Sequence, residues 1–147
     1  MSRYSLGTTM AAAATAAPAL SLKTASTERA RIMELGIFQP GTGTPTVVGG
    51  GIGKAGNSGS VAGTNQTPNA EDPADPAATV QIMAAWTTAP TVPGSFFRRF
   101  SIPAVLGAGI IFTFPLGLVV PVSSDYCIWN NGGTTWLALN TWIVWDE

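Results

Sequence analysis

A chain of 147 residues is long enough to form one domain that buries roughly two thirds of the surface exposed by its unfolded form. Its 7 Lys and Arg against 8 Asp and Glu leave a net charge of -1, which provides no attraction for a polyanion and argues against nucleic-acid binding. Only 10% of the residues are charged and 46% are hydrophobic, so a free monomer would be poorly soluble. We therefore expect partners to cover much of the surface.

The recurrent pattern along the chain is a period-two alternation of side chains, which predicts β-strands. The predicted strands are, in chain order, 3–9, 20–24, 31–37, 79–86, 96–101, 110–114, 118–122, 126–130 and a C-terminal strand within 134–147. Alanine also favours a helix near 8–17, but helical periodicity is nearly absent elsewhere. Short strands separated by Gly, Pro and Asn-Gly turns predict an all-β fold, a single β-sandwich or jelly-roll-like domain over 1–147.

The stretch 39–78 departs from this pattern, because it holds nine of the 17 glycines and five of the 11 prolines. Such a composition predicts a long Gly/Pro-rich loop or arm within the domain. An arm of this kind cannot offset its own ordering entropy, so we expect neighbouring chains to hold it in place.

Two segments resemble membrane or targeting sequences without fitting either class. Residues 100–124 contain no charge, but Pro103, Pro115 and Pro121 divide the run into pieces too short to span a bilayer as a helix. Residues 10–17 are rich in alanine but only weakly hydrophobic. We expect no membrane span and no targeting signal.

Two motifs have a possible ligand and a simpler explanation. Residues 51–56 match G-x-G-x-x-G, but Asn57-Ser58-Gly59-Ser60 follows where a nucleotide site needs a helix, so we interpret the motif as a loop. Glu71, Asp72 and Asp75 could contribute to a calcium site, although calcium needs six to eight oxygen ligands. The two Asp-Pro steps favour a turn, and calcium binding stays open.

The residues that usually carry catalysis are scarce. The chain has no His, and its single cysteine, Cys127, lies between Tyr126 and Ile128 in a strand-like segment, as a core residue would. The carboxylate of Asp125 has no neighbouring base or nucleophile in a recognisable spacing. We predict that the protein is not an enzyme and needs no cofactor or metal.

Two groups of residues are candidates for an interface. Alternation places Trp142 and Trp145 on opposite faces of the last strand, so they cannot form one flat sugar-binding platform, and packing against core or partner is favoured. Phe97, Arg98 and Arg99 combine an apolar anchor with two cations, which is typical of interface anchors and also of an ordinary strand with a solvated face.

Several stretches resemble small structural proteins encoded by tailed bacteriophages and prophages. They are 29–38, 71–78, 85–90, 103–109 and 112–119, and they consist of packing and turn motifs without catalytic residues. The resemblance covers most of 28–130 and implies a component of the virion.

Within that class, we expect a capsid decoration (cement) protein on the capsid exterior. It would bind the major capsid protein and copies of itself, and the resemblance to other decoration proteins favours a trimer. A tail, neck or fibre component is the alternative within the particle. A carbohydrate-binding module for host adsorption remains a third hypothesis, because four of the five tryptophans fall near the C-terminus.

Overall fold

The computed structural model describes all of residues 1–147 and contains eleven β-strands and no helix. The strands are β1 (Arg3–Met10), β2 (Pro18–Lys23), β3 (Ala30–Phe38), β4 (Val48–Lys54), β5 (Ala62–Asn65), β6 (Asn69–Ala70), β7 (Gln81–Thr88), β8 (Phe96–Ile102), β9 (Gly109–Val120), β10 (Asp125–Asn130) and β11 (Leu139–Asp146). The helix considered near 8–17 is absent, because β1 extends to Met10 and pairs there with Leu139 of β11.

The strands form two antiparallel sheets that pack against each other. Sheet A has the order β6-β1-β11-β3-β9, and sheet B has the order β5-β7-β2-β10-β4-β8. Eight strands pair as a nested series, β1 with β11, β2 with β10, β3 with β9 and β4 with β8. Successive pairs alternate between the sheets, which is the arrangement of a jelly roll. The predicted all-β sandwich is therefore confirmed, and β5, β6 and β7 are additions between β4 and β8.

A cluster of 25 buried hydrophobic residues fills the space between the sheets. Along β11, Leu139, Ile143 and Trp145 are buried while Asn140 is exposed, as a strand with one face on the core requires. The strand β10 differs, because all six of its residues are buried. It lies between β2 and β4, and chain segments cover it on both faces, so it has no solvent-facing side.

The range 39–78 is not one continuous loop. Its glycine-rich part, β4, lies between β10 and β8 in sheet B, and most of its residues are buried. A Cβ at Gly50 would lie 2.4 Å from the Phe100 ring and 2.7 Å from the Trp136 ring. Glycine is needed here because aromatic rings of the core occupy the place of its side chain. The short strands β5 and β6 also fall in this range and were not predicted.

The uncharged run 100–124 forms the end of β8, all of β9 and the turn that precedes β10. The predicted strand 110–114 and residues 118–120 of the predicted strand 118–122 belong to the single strand β9, which ends at Val120. Pro115 lies within β9, which is an edge strand of sheet A. The absence of a backbone N–H at Pro115 is tolerated there because β9 pairs with a strand on one side only.

Candidate functional site

The open end of the sandwich, which we call the β8–β9 edge, is formed by the last strand of each sheet. Phe100 of β8 and Phe112 of β9 meet edge to face with ring centroids 5.8 Å apart, so the two strands face each other across the core. Neither strand has a further partner on its outer side. Unpaired edge strands expose backbone donors and acceptors that can pair with another chain.

A bulge interrupts the middle of β9. The register passes from Thr113 opposite Glu34 to Leu118 opposite Ile32, so four residues of β9 face one residue of β3. Gly117 has a φ of 72°, a left-handed conformation in which glycine is the natural residue. Arg31 Nη1 donates a hydrogen bond to the Leu116 carbonyl at 3.0 Å. The bulge is therefore fixed from the outer face of sheet A.

The bulge presents apolar surface next to cations. Leu116 is 85% exposed and Ile111 is 50% exposed. The guanidinium carbon of Arg98 lies 5.7 Å from the centroid of the Phe114 ring, a cation–π contact. Arg98 and residues 114–118 line an open groove of about 390 Å³. This edge therefore offers a partner both apolar contacts and positive charge.

The structure divides the predicted trio Phe97, Arg98 and Arg99 between core and surface. Phe97 is half-buried and packs on Tyr126 with ring centroids 4.9 Å apart, so it contributes mainly to the core. Both arginines are exposed, and the Arg99 guanidinium carbon lies 5.0 Å from the Phe96 centroid. The cations are thus available at the β8–β9 edge, and neither forms a salt bridge within the chain.

The two tryptophans of β11 lie on opposite faces, as alternation predicted. Trp145 is 0% exposed and stacks on Tyr4 at 5.9 Å, so it belongs to the core. Its assignment to a candidate interface is therefore wrong. Trp142 is half-buried on the outer face of sheet A, where its ring stacks on Phe38 at 4.8 Å. Only Trp142 of this pair can contact a partner.

The outer face of sheet B carries a second cluster that sequence analysis did not reveal. Ala55 and Val61 fold over this face and bury Met83, Cys127 and Trp129. The Cys127 thiol is fully enclosed, and burial, together with the charge of Asp125, raises its pKa to about 12. The thiol is therefore held in its unreactive protonated form.

Asp125 lies beneath the same covering segment. It is 0% exposed, and neither carboxylate oxygen has a hydrogen-bond partner within the chain. Burial raises the pKa of Asp125 to about 7, while the Lys23 ammonium and the Ser21 hydroxyl lower it by smaller amounts. The Ser21 hydroxyl accepts a hydrogen bond from Trp86 Nε1 at 2.9 Å.

Residues 71–76, which we call the acidic turn, follow β6 at the opposite edge of sheet A. Asp72 Oδ1 accepts a hydrogen bond from the Ala74 N–H at 2.9 Å, and the Tyr4 hydroxyl donates to the Pro76 carbonyl at 2.9 Å. Asp72 therefore caps the turn, as the Asp-Pro pattern suggested. The structure contains no group of three or more His, Cys, Asp or Glu side chains arranged to hold a metal ion.

None of the elements is a helix with the length and hydropathy needed to cross a membrane. Comparisons with protein-family models, with curated proteins and with solved structures found no match to this chain.

Proposed function

We propose that this protein is a virion structural protein, and specifically a capsid decoration protein that binds the major capsid protein and copies of itself on the exterior of a phage head. The observation that carries the proposal is the β8–β9 edge, an exposed strand edge that combines Leu116, Ile111 and two free arginines. Such a surface is more favourable when it is buried against another protein than when it is exposed to solvent.

The charge content supports the same proposal. Fifteen charged residues among 147 give little repulsion between copies and little solubility to a free monomer. A protein that is covered by neighbours in an assembly does not need a strongly charged surface. The resemblance of 71–78, 103–109 and 112–119 to structural proteins of tailed phages favours the virion as that assembly.

Locating the protein in particles tests the proposal. Particles produced with and without this gene would be compared by electron cryomicroscopy and by resistance of the heads to heating. We expect a density of about 15.1 kDa per copy on the outside of the head, lost in the deletion. We also expect purified protein to restore both density and heat resistance when it is added to the deficient heads.

Other locations of the density decide against the decoration role. Density on the tail, neck or fibres would show that the protein is a virion component but not a decoration protein. Absence from the particle would contradict the proposal altogether. Binding to host glycans by a protein that is absent from the head would favour the adsorption module instead.

A further inference from the structure

Two opposite edges of the sandwich carry charges of opposite sign. At the β8–β9 edge, Arg98 of β8 and Arg31 of β3 contact the bulge of β9, Arg99 is exposed on β8, and none of the three forms a salt bridge within the chain. Glu34, an acid on β3 opposite Thr113 of β9, accepts a hydrogen bond from Trp142 Nε1 at 2.7 Å and offsets one of these three cations. This edge therefore presents a net positive charge.

The opposite edge, at the acidic turn, presents a net negative charge. Glu71 and Asp72 are exposed and Asp75 is half-exposed in the acidic turn. The cation nearest to them along sheet A, Arg3, is held by Asp146 through bonds of 2.7 and 3.1 Å. Arg3 also interacts electrostatically with Glu71, whose N–H donates to the Arg3 carbonyl at 2.9 Å, so one cation faces both Asp146 and the turn and an excess of negative charge remains.

The two edges also match in shape and rigidity. The β8–β9 edge is an open apolar groove flanked by guanidinium groups, while the turn is a fixed projection in which Pro73 and Ala74 are exposed between acids. The Asp72 cap and the Tyr4 bond to Pro76 hold the turn, so docking would order little chain. Pro115 removes a backbone donor from the centre of β9, which favours docking through side chains over addition of a strand.

From this complementarity we infer that the acidic turn of one copy docks in the β8–β9 edge of the next copy, a head-to-tail contact between two copies of this chain. A contact between two different surfaces is heterologous, and it closes into a ring when the rotation between copies allows it. The inference deepens the proposed function and rests on the self-association that this function includes. It assigns Arg98, Arg99, Glu71 and Asp75 to the contact and leaves Trp145 in the core.

Charge reversal on each side tests the contact. One variant carries Arg98→Glu and Arg99→Glu, and a second carries Glu71→Lys and Asp75→Lys, which keeps the cap of Asp72. Sedimentation velocity would measure association of each variant in the absence of capsids. Like charges then face each other in each variant. We therefore expect each variant alone to associate with a dissociation constant at least about a hundredfold higher than that of the unchanged protein.

Mixing the two variants tests whether the turn of one copy meets the edge of another. The first variant carries acids on both surfaces and the second carries cations on both, so an equimolar mixture restores opposite charges at every turn–edge contact and should associate with the two variants alternating. A single chain that carries all four substitutions exchanges the charges of both surfaces, keeps the net charge and should associate with itself again. Near-ultraviolet circular dichroism would confirm that every variant is folded.

The inference is overturned if the unchanged protein is monomeric, if either variant associates as the unchanged protein does, or if the mixture and the fourfold variant stay monomeric. These outcomes concern contacts between copies alone. Failure of the proposed function is a separate result, in which copies associate with one another but no protein is found on the head.

Discussion

Trp142 donates a hydrogen bond from its indole Nε1 to Glu34 Oε1 at 2.7 Å across β11 and β3. The bond holds the indole flat on the outer face of sheet A, where the ring also stacks on Phe38. Directly beneath the ring lies Gly36, the register partner of Trp142. A side chain at position 36 would meet the ring, since its Cβ would lie 2.5 Å from the indole.

We predict that Gly36→Ala lowers the free energy of unfolding by about 1–3 kcal/mol, because the methyl group must displace the indole. Urea unfolding followed by Trp fluorescence measures the change. Gly7→Ala is a matched control, since Gly7 is the register partner of Trp142 on the other side and a Cβ there meets nothing within 4 Å. Equal effects of the two substitutions would contradict the packing described for Trp142.

The two tryptophans of β11 should differ in what they stabilise. Trp145→Ala removes a ring that is 0% exposed, so we expect a loss of about 3–5 kcal/mol in the free energy of unfolding. Trp142→Ala removes a half-buried ring and one hydrogen bond, for which about 1–2 kcal/mol is expected. Thermal and urea unfolding of both variants check the order. A larger loss for Trp142→Ala would mean that the faces of β11 are assigned the wrong way round.

The buried carboxyl of Asp125 should make stability depend on pH. Its pKa of about 7 in the folded protein lies above the ordinary value of 3.8, so the folded state binds the proton more tightly than the unfolded state does. The contribution of Asp125 to the free energy of unfolding is therefore largest below about pH 4. It declines by about 1.4 kcal/mol per pH unit as the pH rises and levels off above about pH 7.

Asp125→Asn removes the charge and keeps the shape, so it should flatten this decline and raise stability at pH 8. Urea unfolding of both proteins from roughly pH 4.5 to roughly pH 8, a range that includes the shifted pKa of about 7, measures the difference. Lys23, the register partner of Asp125 across β2 and β10, is the same in both proteins. Parallel pH profiles for the two proteins would show that Asp125 is solvated in the folded state.

Limited proteolysis should divide 39–78 into protected and susceptible parts. We predict that proteinase K spares β4, which is paired on both sides, and cuts the exposed loop 41–44 and the acidic turn. Mass spectrometry of early fragments locates the cuts. In an assembly of the proposed kind the acidic turn should become protected, while the loop 41–44 acts as an internal control. Early cleavage within 48–54 in the free protein would contradict the position of β4.

Sequence analysis predicted the strands in which side chains, rather than glycines, form the alternating pattern. For β1, β3 and β8 the predicted and observed ranges differ by one residue, at both ends of β3 and at the C-terminal end of the other two. The gap between the predicted strands 110–114 and 118–122 falls on Pro115, Leu116 and Gly117, where the bulge of β9 lies. Proline and glycine therefore marked the irregularity, although not that one strand continues through it.

What could not be predicted depends on contacts between residues far apart in the chain. In β4 the glycines carry no alternating pattern, because Phe100, Trp136 and Phe96 fill the space above them. Alternation separated Trp142 from Trp145, but both faces of the strand are apolar and only the packed sheets show which one is inside. The burial of Asp125 depends on Ser58 and Val61, which approach from a different part of the chain.

The position of β11 between β1 and β3 has a consequence for how the chain folds. Sheet A joins the first strand to the last, with Arg3 opposite Asp146, so its central strand is the last one to be synthesised. Until β11 is available, β1 and β3 each have an open edge and sheet A cannot close. Pairing between such distant segments is slow, and the waiting chain exposes edges that can aggregate. Sheet A should therefore be completed only after β11 has been synthesised, and chains that are truncated before β11 should accumulate as aggregates.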